Sequence, residues 1–210
     1  MGIAQEGLRF VLPLVGTGAA LLAAGFFRSG IALVAFGVAA GAFFRDPDRV
    51  VTTTTNVVVS AADGRVCDIA PALSPESSKE LYTRVSVFMS PLDVHVNRSP
   101  VSGEVETLKY SKGGFRAAFR DGASEHNERN LIKIKDEHGK EHILVQVAGY
   151  LARRIVCYVH PGQRLEQGQR IGLIMFGSRV DHFLPPDYRV SVGVGAHVRA
   201  GETIIGEMIK

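Results

Sequence analysis

Gly162-Gln163-Arg164-Leu165-Glu166-Gln167-Gly168-Gln169-Arg170-Ile171 and Gly195-Ala196-His197-Val198-Arg199-Ala200-Gly201-Glu202-Thr203-Ile204 share one spacing, thirty-three positions apart. Glycine and an apolar residue alternate at every third place in both. Glycine permits tight turns, and the apolar residues between the turns point inward. The repeat therefore predicts short strands and turns. Working back from it, Arg84 to Phe88, Glu104 to Leu108 and Leu131 to Lys135 alternate apolar with polar residues, the period of a half-buried strand. Asp136 to Lys140, with Gly139, reads as a turn into a further strand from His142 to Val147. Pro71 to Lys79, rich in Ser and Pro, reads as a loop with a short helical turn, and Lys112 to Arg129 as a second loop. No long segment of helical period follows Arg49.

Before Arg49 the chain changes character. Phe10 to Phe27 carries no charge, and neither does Ser29 to Phe44. As helices these runs would span roughly 24–27 Å, near the thin limit for crossing a bilayer. The Arg28-Ser29-Gly30 break predicts a tight turn between them. A signal peptide fits poorly, because a second apolar run follows and no clear small-residue cleavage site separates it from a mature chain. A buried hairpin in a soluble protein is the rival reading, and a membrane-inserted or interfacial hairpin is favoured. Arg9, Arg45 and Arg49 flank its outer ends and Arg28 lies at its tip, which places both ends and the large domain on the cytoplasmic side of the cell membrane. Arg45-Asp46-Pro47-Asp48-Arg49 is a polar boundary. The expected organisation is a hydrophobic membrane-associated hairpin over 1–49 and a β-rich catalytic domain over 50–210.

The 210 residues carry a net charge of +3 and two cysteines. Without a long Lys/Arg tract, scattered basic residues suit an anionic bilayer better than nucleic acid. Cys67 and Cys157 are too few and too separated for a metal cluster, and read as reduced residues of a cytoplasmic domain. The histidines show no ligand spacing, so no metal site is expected.

Three segments carry chemistry. Gly177-Ser178 ends an apolar, β-like run from Ile171 to Phe176. Phe88-Met89-Ser90-Pro91-Leu92-Asp93-Val94-His95-Val96-Asn97-Arg98-Ser99-Pro100-Val101-Ser102-Gly103 and Ala61-Ala62-Asp63-Gly64 lie upstream. Together they resemble the short, membrane-associated (type A) form of the phosphatidylserine decarboxylase family, over about Phe44 to Lys210. The glycine repeat is similar to the flattened barrels of biotinyl and lipoyl domains, without a modifiable lysine at a hairpin tip. The expected fold is mainly β: a flattened β-barrel or sandwich resembling barrel-sandwich hybrids, preceded by an α-helical hydrophobic hairpin.

The resemblance implies a carboxy-lyase made as a proenzyme. Ser178 attacks the Gly177 carbonyl, the resulting ester eliminates, and the new N-terminus becomes a pyruvoyl group derived from Ser178. Chains 1–177 and 178–210 then remain associated as a heterodimer, with further dimerisation possible. An imine with the amine of phosphatidylserine lets the carboxylate leave as CO2, and phosphatidylethanolamine is released. By the same resemblance His95 is the leading candidate for the base for cleavage, with Asp63 orienting or charging it as in a Ser-His-Asp set; either His95 also donates the proton for decarboxylation or another group contributes. Larger relatives carry a second histidine where this chain has Arg98. A guanidinium cannot act as a general base, so Arg98 is expected to bind the substrate carboxylate or phosphate. His182, four residues after Ser178, is the local rival for the base. The alternative from another class is a non-enzymatic, membrane-anchored β-barrel adaptor or carrier-like module, which would stay one intact chain.

Overall fold

A short antiparallel pair, β1 (Gly2–Ile3) with β2 (Arg45–Asp46), closes the ends of two apolar helices, α1 (Gln5–Ala23) and α2 (Phe27–Phe43). This computed structural model describes residues 2–51, 56–76, 80–114, 127–149, 154–175 and 178–209. It divides into two units, Met1–Asp48 and Arg49–Lys210. The helices approach closely through glycine. A Cβ on Gly18 would lie 2.8 Å from Val34 Cγ2, one on Gly30 2.6 Å from Leu22 Cγ, and one on Gly37 2.6 Å from Val15 Cγ2. The turn between the helices is Ala24 to Phe26 rather than Arg28 to Gly30. Gly25 adopts φ 85°, which frees Arg28 to enter the first turn of α2.

The second unit is all β among its described residues. Its strands are β3 (Val57–Val59), β4 (Gly64–Leu73), β5 (Leu81–Met89), β6 (Val96–Arg98), β7 (Gly103–Ser111), β8 (Arg129–Asp136), β9 (Glu141–Val147), β10 (Ile155–Cys157), β11 (Arg164–Leu165), β12 (Arg170–Ile174), β13 (Ser178–Leu184), β14 (Tyr188–Val190), β15 (His197–Val198) and β16 (Ile204–Met208). Eight form one antiparallel sheet in the order β11-β7-β8-β9-β13-β5-β4-β15, curled into a half-barrel. Two three-stranded sheets, β10-β12-β6 and β14-β16-β3, complete it. Val85, Val87, Met89, Ile132, Ile134, Leu144, Val180 and Leu184 share one buried core. The expected class, a mainly β flattened barrel behind a helical pair, is the observed one.

The strands expected from alternation are present. Pro71 to Leu73, read as loop, instead extend β4 and pair with Thr83 to Leu81. Proline is tolerated there because β15 covers β4 only at Gly64 and Arg65, leaving the Pro71 edge unpaired. In the second expected loop, Arg129 already belongs to β8, while 115–126 fall outside the described residues.

The glycine repeat marks an internal pseudo-symmetry. Gly162, Gly168, Gly195 and Gly201 all adopt φ between 77° and 91°. Each copy places a short strand on one edge of the large sheet: β11 beside β7, and β15 beside β4. The partners repeat as well, thirty-nine residues apart. Gly162 N–H donates to Val105 O and Gly195 N–H to Val66 O, both at 2.8 Å. Ser60 Oγ donates to Ala62 O and Ser99 Oγ to Val101 O, both at 2.7 Å.

Candidate active site

Ser178 is the first residue of β13, the strand held between β5 and β9, and it is fully buried. β13 pairs with β5 in unbroken register, so its side chains alternate faces. Val180 and Leu184 enter the main core, which puts Ser178 and His182 on that side, while Phe183 joins a second cluster on the other. Ser178 stands opposite Met89 in the ladder, and its hydroxyl donates to Met89 Sδ at 3.5 Å. Gly177, the expected cleavage partner, lies outside the described residues.

His95 is completely buried in the turn entering β6. Its Nδ1 lies 2.9 Å from the Asp93 carbonyl oxygen. A carbonyl only accepts, so the proton sits on Nδ1 and Nε2 is the basic nitrogen of the neutral ring. The His95 carbonyl in turn accepts from Ile174 N–H at 3.3 Å. That bond ties the histidine to the end of β12, four residues before Ser178 in the sequence. Asp93 is anchored by its neighbours: Oδ2 accepts from Ser90 N–H at 2.8 Å and from Ser90 Oγ at 2.7 Å.

His182 is differently placed. Its Nε2 accepts from Ala61 N–H at 2.8 Å, so Nδ1 carries the proton and faces Val85 O at 3.3 Å. Burial pushes its pKa down to about 4. Both ring nitrogens are engaged by backbone, and the ring serves as a neutral tie between β3–β4 and β5.

Asp63 accepts from Arg49 Nη2 at 2.7 Å and from Ala200 N–H at 2.8 Å. The pseudo-symmetry clarifies this contact. At the equivalent place Ser102 Oγ accepts from Gln167 N–H at 3.0 Å. A hydroxyl suffices to cap that turn, so the carboxylate at 63 adds a charge, matched by the buried Arg49. Asp63 thus meets Arg49 and the β15 turn, whereas the Nδ1 of His95 meets its own local backbone. Arg98 is buried, and its Nη1 donates to Gly168 O at 3.0 Å, inside the first glycine repeat.

Two features escape a linear reading of the sequence. Arg179 and Asp181 form a buried ion pair, Nε to Oδ1 at 2.9 Å, on the face of β13 away from Ser178. Their i,i+2 spacing in a strand was the available signal. On that same face a cavity of about 390 Å³ opens among Leu131, Val145 and Phe183, with Arg84, Lys109 and Arg129 also lining it. The second feature is a file of buried amides, Asn130, Gln146 and Asn97, that reaches Met89. Gln146 is a polar residue at a core position, next to the apolar run Ile143 to Val145 of β9.

The profile of the family described as Phosphatidylserine decarboxylase matches residues 36–206. Proteins named phosphatidylserine decarboxylase proenzyme are similar throughout. The one from Nitrosomonas eutropha is 47% identical over 165 residues, covering 79% of this chain and 76% of its own. That from Chlorobium chlorochromatii is 49% identical over 164 residues, covering 78% and 76%. That from Syntrophus aciditrophicus is 40% identical over 208 residues, covering 97% and 96%, so the likeness to it includes the helical hairpin.

Proposed function

Since this chain belongs to the phosphatidylserine decarboxylase family, we propose that it is made as a precursor that cuts itself between Gly177 and Ser178 and then converts phosphatidylserine to phosphatidylethanolamine and CO2. The chain is a decarboxylase, a lyase. The observation that carries the finer reading is Ser178 itself: a fully buried serine opening the central strand, with His95 bonded to Ile174 at the end of the preceding strand.

In this scheme Nε2 of His95 takes the Ser178 hydroxyl proton as Oγ adds to the Gly177 carbonyl carbon. The Gly177–Ser178 C–N bond breaks, the amine is protonated, and an ester joins the two residues. Loss of the Ser178 α-proton expels Gly177 as a carboxylate and leaves dehydroalanine. Water converts that enamine to a ketone and releases ammonia. The low-polarity surroundings of Ser178, with Met89 and Val180 beside it on the core face, fit a small uncharged pyruvoyl group. Once formed, that group supplies an electron sink for the pair released as CO2 leaves. His95 also returns the proton to the product carbon. Asp63 supplies negative charge near the β15 turn. Arg98, buried and bonded to Gly168, is given a scaffold role in place of the substrate contact expected from sequence.

The products would be chains 1–177 and 178–210. Register supports their staying together: β13 is flanked on both sides by strands of the larger segment, β15 pairs with β4, and β16 pairs with β3. α1 is long and apolar enough to cross a membrane. We place the hairpin in the cell membrane, with the β unit on the cytoplasmic side and phosphatidylserine drawn from the bilayer.

Intact mass and a denaturing gel test the reading. Active protein should run as two chains, the smaller beginning with a carbonyl in place of the serine amine. A single unbroken chain that retains activity would overturn it, as would efficient cutting of Ser178→Ala.

A further inference from the structure

We propose that Asn130, Gln146 and Asn97 are a positioning relay for self-cleavage, a file of buried amides that fixes the Met89 thioether against the Ser178 hydroxyl and so sets the rotamer from which Ser178 attacks. The inference deepens the function proposed above and rests on it.

The file is continuous and runs in one direction. Asn130 Nδ2 donates to Gln146 Oε1 at 2.9 Å, and Gln146 Nε2 donates to Asn97 Oδ1 at 2.8 Å. Asn97 Nδ2 then donates to Met89 Sδ at 3.7 Å, and the same sulfur accepts from Ser178 Oγ at 3.5 Å. None of the five residues is more than 1% exposed. They come from β8, β9, β6, β5 and β13, so the file links the large sheet to the β10-β12-β6 sheet. The backbone makes room for it. Gly172 lies opposite Asn97 in the ladder, and a Cβ there would sit 3.1 Å from Gln146 Nε2 and 2.4 Å from Val156 O.

Folding alone does not call for such a file. Buried amides satisfied only by one another can often be replaced by apolar groups of the same shape at little cost. This file ends at the reacting serine. Its last acceptor also suits the chemistry, because a thioether sulfur accepts hydrogen bonds weakly. It orients the Ser178 O–H while leaving the proton easy to surrender to a base. The Asn97 amide donates to the same sulfur and holds it in place.

The test follows conversion of the full-length chain, synthesised in the presence of phospholipid nanodiscs, from one band to two on a denaturing gel. Met89→Leu keeps the volume and removes the acceptor, while Gln146→Leu breaks the file at its middle. Each should slow cutting on the order of tenfold to a hundredfold, the scale of a small misplacement of a reacting group. The double variant should be no slower than the slower single, because the residues act as one line. Hydroxylamine, which captures the ester, should not restore the rate, because the attack itself is slow. In a Ser178→Ala background the Tm of each variant should stay within about 3 °C of its parent. Cutting of Met89→Leu at the parent rate overturns the proposal. So does a slowdown that hydroxylamine relieves or that tracks a fall in Tm. If Gln146→Leu does not accumulate, Met89→Leu decides alone. Failure of the unaltered chain to cut would instead defeat the underlying reading of Ser178, a distinct result.

Discussion

Tyr188 donates a 3.0 Å hydrogen bond to Asp136 Oδ2, and that bond runs from the segment after Ser178 to the body before it. The same oxygen meets His142 Nε2 at 3.0 Å, and Asp136 Oδ1 accepts from the N–H groups of His138 and Lys140. Lys140 pairs with Asp187 alongside. Burial works against ionisation of Asp136, but the bonds from His142, Lys140 and Tyr188 prevail and hold its pKa at about 2. After a cut at Ser178 this clasp would tie the small chain to the large one.

Asp136 should therefore give the precursor an acid limit. Its folded pKa lies below the unfolded value, so its stabilisation is complete above about pH 4 and fades as pH falls towards 2. Tyr188→Phe should remove about 1 kcal/mol and raise the pH at which the clasp fails. Urea midpoints of uncut Ser178→Ala protein, with and without Tyr188→Phe, measure both effects. Equal midpoints across pH 2–5 would contradict them.

His182 should open an earlier acid window. Its pKa falls from 6.5 to about 4 on folding because burial disfavours the imidazolium. The folded state then binds fewer protons than the unfolded one between those values. Stabilisation is complete above about pH 6.5 and is lost as pH falls to about 4, amounting to roughly 3 kcal/mol. In the Ser178→Ala background, His182→Ala should be less stable at pH 7 by about 2 kcal/mol, through the orphaned Ala61 N–H. It should also flatten the pH 4–6.5 slope. With Ser178 intact, the fraction of His182→Ala that folds should still be cut, which separates it from His95→Ala.

Asp63→Ser separates capping from charge. Ser102 shows that a hydroxyl can hold the equivalent turn, so Asp63→Ser should keep the Ala200 contact and fold. It leaves Arg49 without its 2.7 Å carboxylate partner, for a loss of about 1–3 kcal/mol. If the carboxylate supports the reaction, cutting or turnover should drop about a hundredfold, beyond what the lost stability explains. Normal rates in well-folded Asp63→Ser would restrict Asp63 to the turn.

Much of this was legible along the chain, and the limits have physical causes. β5, β7 and β8 alternate because one face meets a dense core, and the repeat betrayed four turns because each needs φ > 0. Pro71 misled because its composition says turn, while the open edge of β4 imposes no hydrogen-bond demand on it. Ser178 and His95 stood out through local motifs. Met89 and Asn97, though inside the motif from Phe88 to Gly103, and Gln146 and Asn130 did not, because their contacts exist only once five strands are in register. The glycines at the pseudo-symmetric strand starts were equally mute. A Cβ on Gly64 would lie 2.1 Å from Phe88 O, and one on Gly103 2.2 Å from Lys135 O. Gly64→Ala and Gly103→Ala should each destabilise by about 3 kcal/mol, read as matching losses of Tm in the uncut chain.

The helical hairpin makes the last prediction. Gly18, Gly30 and Gly37 face the partner helix, while Leu12, Phe36 and Val38 stand more than 60% exposed. In water each such side chain forgoes about 1.5–3 kcal/mol of burial, whereas in hydrocarbon that surface is at no disadvantage. Small residues inside and large apolar ones outside is the arrangement of helices paired in lipid. A charge at the bilayer centre costs about 2.5–3.5 kcal/mol on the insertion scale. Leu12→Asp with Phe36→Asp should therefore move the protein from the carbonate-washed membrane pellet to the supernatant, with the β unit still folded. Retention of that double variant in the pellet would place the anchor elsewhere, since the helices could no longer hold both carboxylates in lipid.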